Sequence, residues 1–286
     1  MGRRELIVLK FGSSVLRGAR DVGRVAREIE RWLDRGVDVV AVVSAFRGVT
    51  DRLLARGRRY GPEPDAHALA ALVATGELAS VATLGLGLRQ RGIACEALDH
   101  HGLGLVTDGP PIGARAVGVS VERVRRALEE SRAIVAPGFI GRCALGRTTL
   151  LARGGSDFSA VFLAHHLGAR CRLIKDTGAL YERDPALGGV PARLDSLSWE
   201  EAAALECKAV QAAALEYARE HGVAIEIAGL GASEAGTVIG CADRARGRGR
   251  RDRVTGAGGP ETRAKIAPVR HGASTGGGLP SRPLFV

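Results

Sequence analysis

Six short apolar runs recur along the chain, and they constrain its fold more than any other feature of the sequence. They lie at residues 6–10, 37–45, 93–98, 133–140, 171–175 and 223–229. Each run is continuously apolar rather than alternating, which is typical of strands that are buried on both faces of a sheet. Helical patterns occupy the segments between them, as at 21–36, 156–169 and 206–222, and Ser198 with Glu201 forms the pattern of a capping box. This alternation predicts an α/β fold with a largely parallel central sheet.

Charge is distributed unevenly along the 286 residues. The net charge is +10, but residues 243–286 carry ten Arg or Lys and three Asp or Glu, which is a net of +7. This end is rich in Gly and Pro and poor in apolar residues, so we predict a domain at 1–241 followed by a disordered basic tail at 242–286. The tail lacks aromatic residues between its arginines, which makes nucleic-acid binding unfavoured.

Three features of the sequence bear on the cellular compartment and on metal binding. The first apolar run is interrupted by Glu5 and Lys10 and does not resemble a signal peptide, and no apolar run approaches 18 residues. Five cysteines are scattered without a CxxC pair, which favours reduced thiols. The histidines at 100–101 and 165–166 are doublets without ligand spacing, so no protein metal site is expected. We therefore predict a cytoplasmic protein with no membrane partner.

Lysine is rare in this chain, with four lysines against thirty-seven arginines. Lys10 ends the apolar run LIVLK and precedes FGSS, whereas Lys175 ends CRLIK and precedes DTG. Lysine is a compact point charge, and small residues after a strand leave backbone N–H groups open to an anion. A phosphoryl-binding role is one interpretation, and ordinary surface lysines are the other.

Four segments combine small and charged residues after predicted strands, at 10–14, 42–54, 148–164 and 174–185. Ligands of open α/β sheets bind at the carboxyl ends of strands, so these segments are expected to converge. The first segment lacks the GxxxxGK[ST] spacing of a P-loop. In the third, Gly154 and Gly155 let a ligand approach the backbone, Ser156 is expected to cap a helix, and Asp157 falls in its first turn. Each segment taken alone also fits an ordinary strand–helix connection.

Together these segments resemble the amino-acid kinase superfamily, and within it the aspartate kinases. KFGSSV is similar to KFGGTSV, VVSAFRGVTDRL to VVSAMSGVTDRL, and GEL-AS at 76–80 to GExLS. PGFIG followed by TTLLARGGSDFSA is similar to PGFxG and TTLGRGGSDxSA, the most specific of the motifs. KDTGALYERDP resembles TDVDGVYTADPR, and CKAVQ resembles GAKVLHP. The motifs run in the family's order from residue 8 to about residue 240, and the resemblance implies a three-layer sandwich.

The resemblance also implies an activity: ATP-dependent phosphorylation of the aspartate side-chain carboxylate, with Mg²⁺ bridging the nucleotide phosphates, in a homo-oligomer. The product, 4-phospho-L-aspartate, leads to lysine, threonine and methionine. Lys10 and Asp157 would be catalytic. Residues implied to hold the amino acid are Ser44, Thr50, Glu77, Arg153, Gly154 and Ser156. Residues implied to bind the nucleotide are Gly12, Ser13, Lys175, Asp176, Tyr181 and Lys208.

Several positions depart from the family pattern. Lys175 replaces a Thr, Ala186 replaces an Arg that contacts phosphate, and Gln211 stands in the LHP region. Lys175 is therefore a candidate to supply the charge that Ala186 lacks. Residues 242–286 are too few for the ACT domains that usually follow in this family, so we do not expect feedback inhibition through this chain itself. Two interpretations of the tail stay open: a remnant of a linker, or regulation that comes from a partner protein. Two alternatives stay open: a kinase of another amino acid or carboxylate, and a nucleotide-binding regulatory subunit.

Overall fold

A long mixed sheet forms the centre of the structure, a computed structural model that describes residues 4–152, 154–183, 188–205 and 210–240. Within these residues the sheet has eight strands. From edge to edge they are β12 (Ser196–Leu197), β14 (Thr237–Ile239), β13 (Ile225–Ala228), β9 (Arg170–Ile174), β1 (Leu6–Phe11), β2 (Asp38–Val43), β6 (Ala133–Pro137) and β3 (Glu96–Ala97). Every pairing is parallel except that of β13 with β14. The prediction of a largely parallel sheet is confirmed.

Helices cover both faces of this sheet. They are α1 (Val22–Asp34), α2 (Val49–Arg58), α3 (Ala66–Gln90), α4 (His100–Leu103), α5 (Val121–Ser131), α6 (Gly155–Leu167), α7 (Trp199–Ala204) and α8 (Ala212–Glu220). Odd-numbered residues of β1, such as Ile7 and Leu9, pack in one core with α1 and α3. Val8 packs in the other core with α5, α6 and α8. Helices on both faces of one sheet make the expected three-layer sandwich.

Helix α3 is the longest helix among the described residues, at 25 residues. By length and composition it is apolar enough to cross a membrane, although the sequence has no uninterrupted apolar run of that length. More than half (56%) of its most apolar window is buried inside the structure, and it carries the buried Glu77. It packs against α1, α2 and the strand at Thr148–Leu151. These contacts are those of a core helix.

Two smaller β structures were not predicted from the sequence. A closed barrel consists of β4 (Val106–Asp108), β5 (Ile112–Gly118), β7 (Ile140–Arg142) and β8 (Thr148–Leu151). A hairpin consists of β10 (Leu180–Tyr181) and β11 (Arg193–Leu194). Their strands are short, and β5 alternates buried and exposed residues. The barrel matters for function because its strand β8 leads directly into α6.

Two predicted helix starts are wrong. Helix α6 does not begin with a Ser156 cap: its N-cap is Gly154, in the left-handed conformation at φ 82°, without a side-chain cap. Of the helix expected over 206–222, residues 206–209 lie outside the described residues, and the remainder forms a helix only over Ala212–Glu220, after the extended N-cap residue Gln211. By contrast, the capping box expected at Ser198 and Glu201 is confirmed, because each side chain accepts the other's backbone N–H.

Candidate active site

The carboxyl ends of two neighbouring strands bring the two strand-end lysines together. β1 pairs with β9 in parallel, with Lys10 opposite Leu173 and Phe11 opposite Ile174. Lys175 follows β9 directly, and its backbone N–H donates to the Ala228 carbonyl in β13. Lys10 and Lys175 therefore reach the same edge of the sheet, on the face covered by α6. Apolar strands that end in a cation at this edge are the arrangement that the sequence indicated.

A single carboxylate lies between these two lysines. Lys10 Nζ is 2.6 Å from Asp157 Oδ1, and Lys175 Nζ donates to Asp157 Oδ2 at 2.9 Å. Burial alone would raise the pKa of the Asp157 carboxyl, but the two ammonium groups outweigh burial and hold that pKa below its ordinary value. Burial lowers the pKa of Lys175, and Asp157 offsets part of that effect. Two ammonium groups and one carboxylate leave a formal charge of +1 at the sheet edge.

The first turn of α6 places Asp157 between the lysines. Gly154 can adopt its left-handed conformation because it has no Cβ, and a Cβ there would overlap the side chain of Gln211. A Cβ on Gly155 would lie 2.7 Å from Leu151 Cβ and 2.9 Å from the Phe139 ring. The double glycine therefore lets the helix begin against β8 and the loop after β6.

The loop after β1 contributes space rather than charge. A Cβ on Gly12 would lie 2.6 Å from Lys10 Nζ, so the glycine leaves room for the lysine to fold back toward Asp157. Ser13 is exposed, and its carbonyl accepts a hydrogen bond from Arg47 at 3.3 Å. That contact joins the first predicted segment to the second.

The second segment, residues 42–54, lines the site together with helix α3. Ser44 follows β2, and its N–H donates to the Phe11 carbonyl. Thr50 is half-buried in the first turn of α2. The buried Glu77 of α3 accepts the Ala45 N–H at 2.8 Å. Burial raises the Glu77 pKa to about 8, although this hydrogen bond and the charge of Lys10 act in the opposite direction.

Other residues of the expected site differ in how closely they approach the lysine pair. Ser156 is half-buried in the first turn of α6, against Gly138. Asp176 is exposed directly after Lys175, whereas Tyr181 is half-buried in the hairpin strand β10 with no described contact to either lysine. Arg153, Lys208 and Ala186 lie outside the described residues.

Sequence reasoning missed the turn at Phe139 and its partner Ser159. The hydroxyl of Ser159 accepts the Phe139 N–H, and this buried serine lies two residues after Asp157. A polar residue inside the apolar run FSAVFLA was a usable signal for Ser159. The left-handed backbone at Phe139 had none, because phenylalanine rarely adopts it.

A family model described as the amino acid kinase family matches residues 5–229. The chain belongs to this family. Its curated relatives include an aspartokinase of Thermus thermophilus, 34% identical over 82% of this chain and 59% of the relative. Aspartate kinase of Pseudomonas fluorescens is 33% identical over 78% of this chain and 55% of the relative. This amino acid kinase chain thus spans less than two thirds of the length of these relatives.

Solved structures of two aspartate kinases share the fold. Aspartate kinase from Synechocystis superposes with a TM-score of 0.70 at 28% identity, over 82% of this chain and 39% of that one. Escherichia coli aspartokinase III, in complex with aspartate and ADP, superposes with a TM-score of 0.68 at 23% identity, over 82% of this chain and 64% of that one. At 23% identity, the similarity to the Escherichia coli enzyme concerns the fold alone.

Proposed function

We propose that this chain phosphorylates the side-chain carboxylate of L-aspartate with ATP, giving 4-phospho-L-aspartate. The observation that carries the proposal is the buried carboxylate of Asp157 between two lysine ammonium groups, 2.6 and 2.9 Å away. Relatives named aspartokinase, at 32–34% identity, support aspartate as the acceptor. Phosphoryl transfer needs positioning and charge neutralisation more than covalent chemistry by the protein.

The lysine pair would stabilise the charge on the transferring group. Asp157 holds both ammonium groups at fixed positions, so little reorganisation is needed when negative charge develops. Because the carboxylate is shared by two cations, one unit of positive charge remains for the phosphoryl oxygens. In this scheme Lys10 faces the transferred group and Asp157 positions it, while Lys175 supplies the charge that alanine at position 186 cannot.

The amino acid would bind beside this pair, against Glu77. Its ammonium group would neutralise Glu77 and favour the ionised form of that buried carboxyl. Ser44, Thr50 and Ser156 offer hydroxyls, Gly154 permits close approach of the backbone, and Arg153 would hold a carboxylate. Binding of an amino acid at this place explains why a carboxyl group is buried with a single backbone donor.

The nucleotide would bind beyond the lysines, along the ends of β1 and β9. Gly12, Ser13 and Lys175 would contact its phosphates, and Asp176, Tyr181 and Lys208 its remaining groups. Mg²⁺ would be carried mainly by the phosphates, since it keeps several waters and needs few protein ligands. When bound, the ion neutralises phosphate charge. The exposed Asp176 is one side chain at this edge that could reach it.

Broader assignments follow from the same proposal. The product would feed the synthesis of lysine, threonine and methionine in the cytoplasm, where the free thiols of Cys95, Cys143 and Cys171 would stay reduced. We also propose a homo-oligomer, a catalytic domain over 1–241 and a basic tail over 242–286. A partner protein is a candidate for regulation.

A hydroxylamine trap tests the activity. Purified protein with ATP, Mg²⁺, L-aspartate and hydroxylamine should yield aspartyl hydroxamate, and Lys10→Ala should lower turnover about 100-fold or more. Arg27→Ala is the matched control, since Arg27 is an exposed cation on α1, across the sheet from α6. Absence of hydroxamate refutes aspartate as the acceptor. Turnover of another amino acid or carboxylate would then redefine the substrate, and ATP binding without any turnover would indicate a regulatory subunit.

A further inference from the structure

The loop between β6 and β7 contains a strained turn. Phe139 has φ 66°, and among the described residues the only other non-glycine residue with positive φ is Arg132, at the end of α5. The Ile140 N–H donates to the Gly138 carbonyl at 2.8 Å and closes a three-residue turn around Phe139. Such a γ-turn is rare because the left-handed conformation costs energy when a Cβ is present. Something must therefore hold Phe139 in place.

Both polar backbone groups of Phe139 are fixed. Its carbonyl accepts the Leu151 N–H at 2.8 Å, and its N–H donates to Ser159 Oγ at 3.1 Å. The same hydroxyl donates to the Gly155 carbonyl at 2.7 Å. Ser159 is fully buried, so neither hydrogen bond competes with water. One hydroxyl thus joins the strained turn to the first turn of α6.

The turn is in direct contact with the segment that carries the bridging carboxylate. A Cβ on Gly138 would lie 2.7 Å from Ser156 Cβ, and a Cβ on Gly155 would lie 3.3 Å from Phe139 Cα. The Gly138 N–H also donates to the Val43 carbonyl of β2, which ties the turn to the sheet. The beginning of α6 therefore packs against a backbone turn that is hydrogen-bonded to the same sheet that carries the two lysines.

We propose that Ser159 is a positioning residue that clamps the left-handed turn at Phe139 to α6 and thereby fixes Asp157 between Lys10 and Lys175. Without the hydroxyl, the Phe139 N–H loses its partner and the strained turn relaxes. The first turn of α6 then loses its packing contact with the Phe139 turn, and the Asp157 carboxylate moves relative to the lysines. The catalytic consequence rests on the proposed phosphoryl transfer, whereas the clamp itself does not.

The kinetic test compares Ser159→Ala with Ser131→Ala. Ser131 on α5 also bonds the carbonyl four residues earlier, at 2.8 Å, but lies away from the lysine pair. We expect Ser159→Ala to lower kcat at least about tenfold, because small displacements of reacting groups are costly, while the KM for ATP stays within about twofold. Ser131→Ala should keep kcat, and Ser159→Thr should restore much of it. An unchanged kcat in Ser159→Ala overturns the inference.

Making the same substitution in a Phe139→Gly variant separates the effect of the clamp from general destabilisation of the fold. Glycine adopts positive φ without strain, so Phe139→Gly removes the need to hold the turn. In that background Ser159→Ala should cost no more than about threefold in kcat, because no strain remains to be released. An equal loss in both backgrounds would mean that strain at Phe139 plays no part. Phe139→Asn serves in place of Phe139→Gly if the glycine variant does not fold, since asparagine tolerates the left-handed region.

Amide hydrogen exchange tests the clamp without catalysis. The amides of residues 156–159 should exchange faster in Ser159→Ala than in the unaltered chain, and less so in the Phe139→Gly background. Unchanged exchange overturns the clamp even if the enzyme is active. If the unaltered chain makes no acyl phosphate but exchange responds as expected, the proposed function fails and the clamp stands.

Discussion

Glu77 offers a sharp thermodynamic prediction. Its carboxyl is 2% exposed, accepts one backbone N–H, and has a pKa raised from 4.5 to about 8. Glu77→Gln keeps a carbonyl that can accept the Ala45 N–H and removes the ionisable group. The variant should therefore change how stability depends on pH more than it changes stability at low pH.

The sign and size of this pH dependence follow from the linkage between proton binding and folding. Below pH 4.5 Glu77 is neutral in both the folded and the unfolded chain and contributes no pH dependence. Between pH 4.5 and about 8 unfolding releases a proton, so this group destabilises the fold by about 1.4 kcal/mol for each pH unit. Above pH 8 the full penalty of about 5 kcal/mol is present, from about 3.5 pKa units at that rate.

Urea denaturation of both proteins at pH 5, 6, 7 and 8 measures the effect. The unaltered chain should lose stability relative to Glu77→Gln, with the two curves diverging by about 1.4 kcal/mol per pH unit from about pH 5.5 to about 7.5. Glu122→Gln, at an exposed position on α5, should follow the unaltered chain. Parallel curves for the unaltered chain and Glu77→Gln would refute the raised pKa.

If aspartate places its ammonium against Glu77, titration calorimetry at pH 7 in buffers of different ionisation enthalpy should show release of close to one proton, and this release should vanish in the variant.

Three other substitutions test separate parts of the structure. Lys175→Ala should lower kcat about 100-fold, because the buried carboxylate keeps one ammonium group and the site loses one positive charge; steady-state kinetics measure this. Gly12→Ala should lower kcat about tenfold with a nearly unchanged Tm, since the new Cβ would lie 2.6 Å from Lys10 Nζ; an unchanged kcat would contradict the crowding argument. Glu226→Ala should destabilise the fold by about 3 kcal/mol in urea denaturation, because Arg172 is buried and loses its carboxylate partner.

The sheet was predictable because its strands are buried on both faces. Each continuous apolar run contains a strand, and the run at 171–175 became β9 almost residue for residue. The run at 93–98 yielded only the two-residue edge strand β3, since an edge strand has a partner on one side. The barrel was missed because its strands are short and partly exposed, so their patterns do not stand out from loops.

Part of the site was predictable from topology alone. Parallel strands end at one edge of a sheet, so Lys10, Ser44 and Lys175 had to lie near one another once their strands were recognised. The bridge through Asp157 could not be derived from spacing, because it depends on how α6 packs on β1 and β9. The Ser156 cap was wrong because Gly154, in a conformation that favours glycine, caps the helix two residues earlier.

The pairing of β1 with β9 has a kinetic consequence. Leu9 and Arg172 are partners across strands that are separated by most of the segment that matches the family model, so this contact closes a very long loop. Such contacts form slowly, and a growing chain cannot make this one until β9 has been synthesised. We expect the two lysines to meet only near the end of folding, so the recovery of activity after dilution from urea should lag behind the recovery of helical circular dichroism.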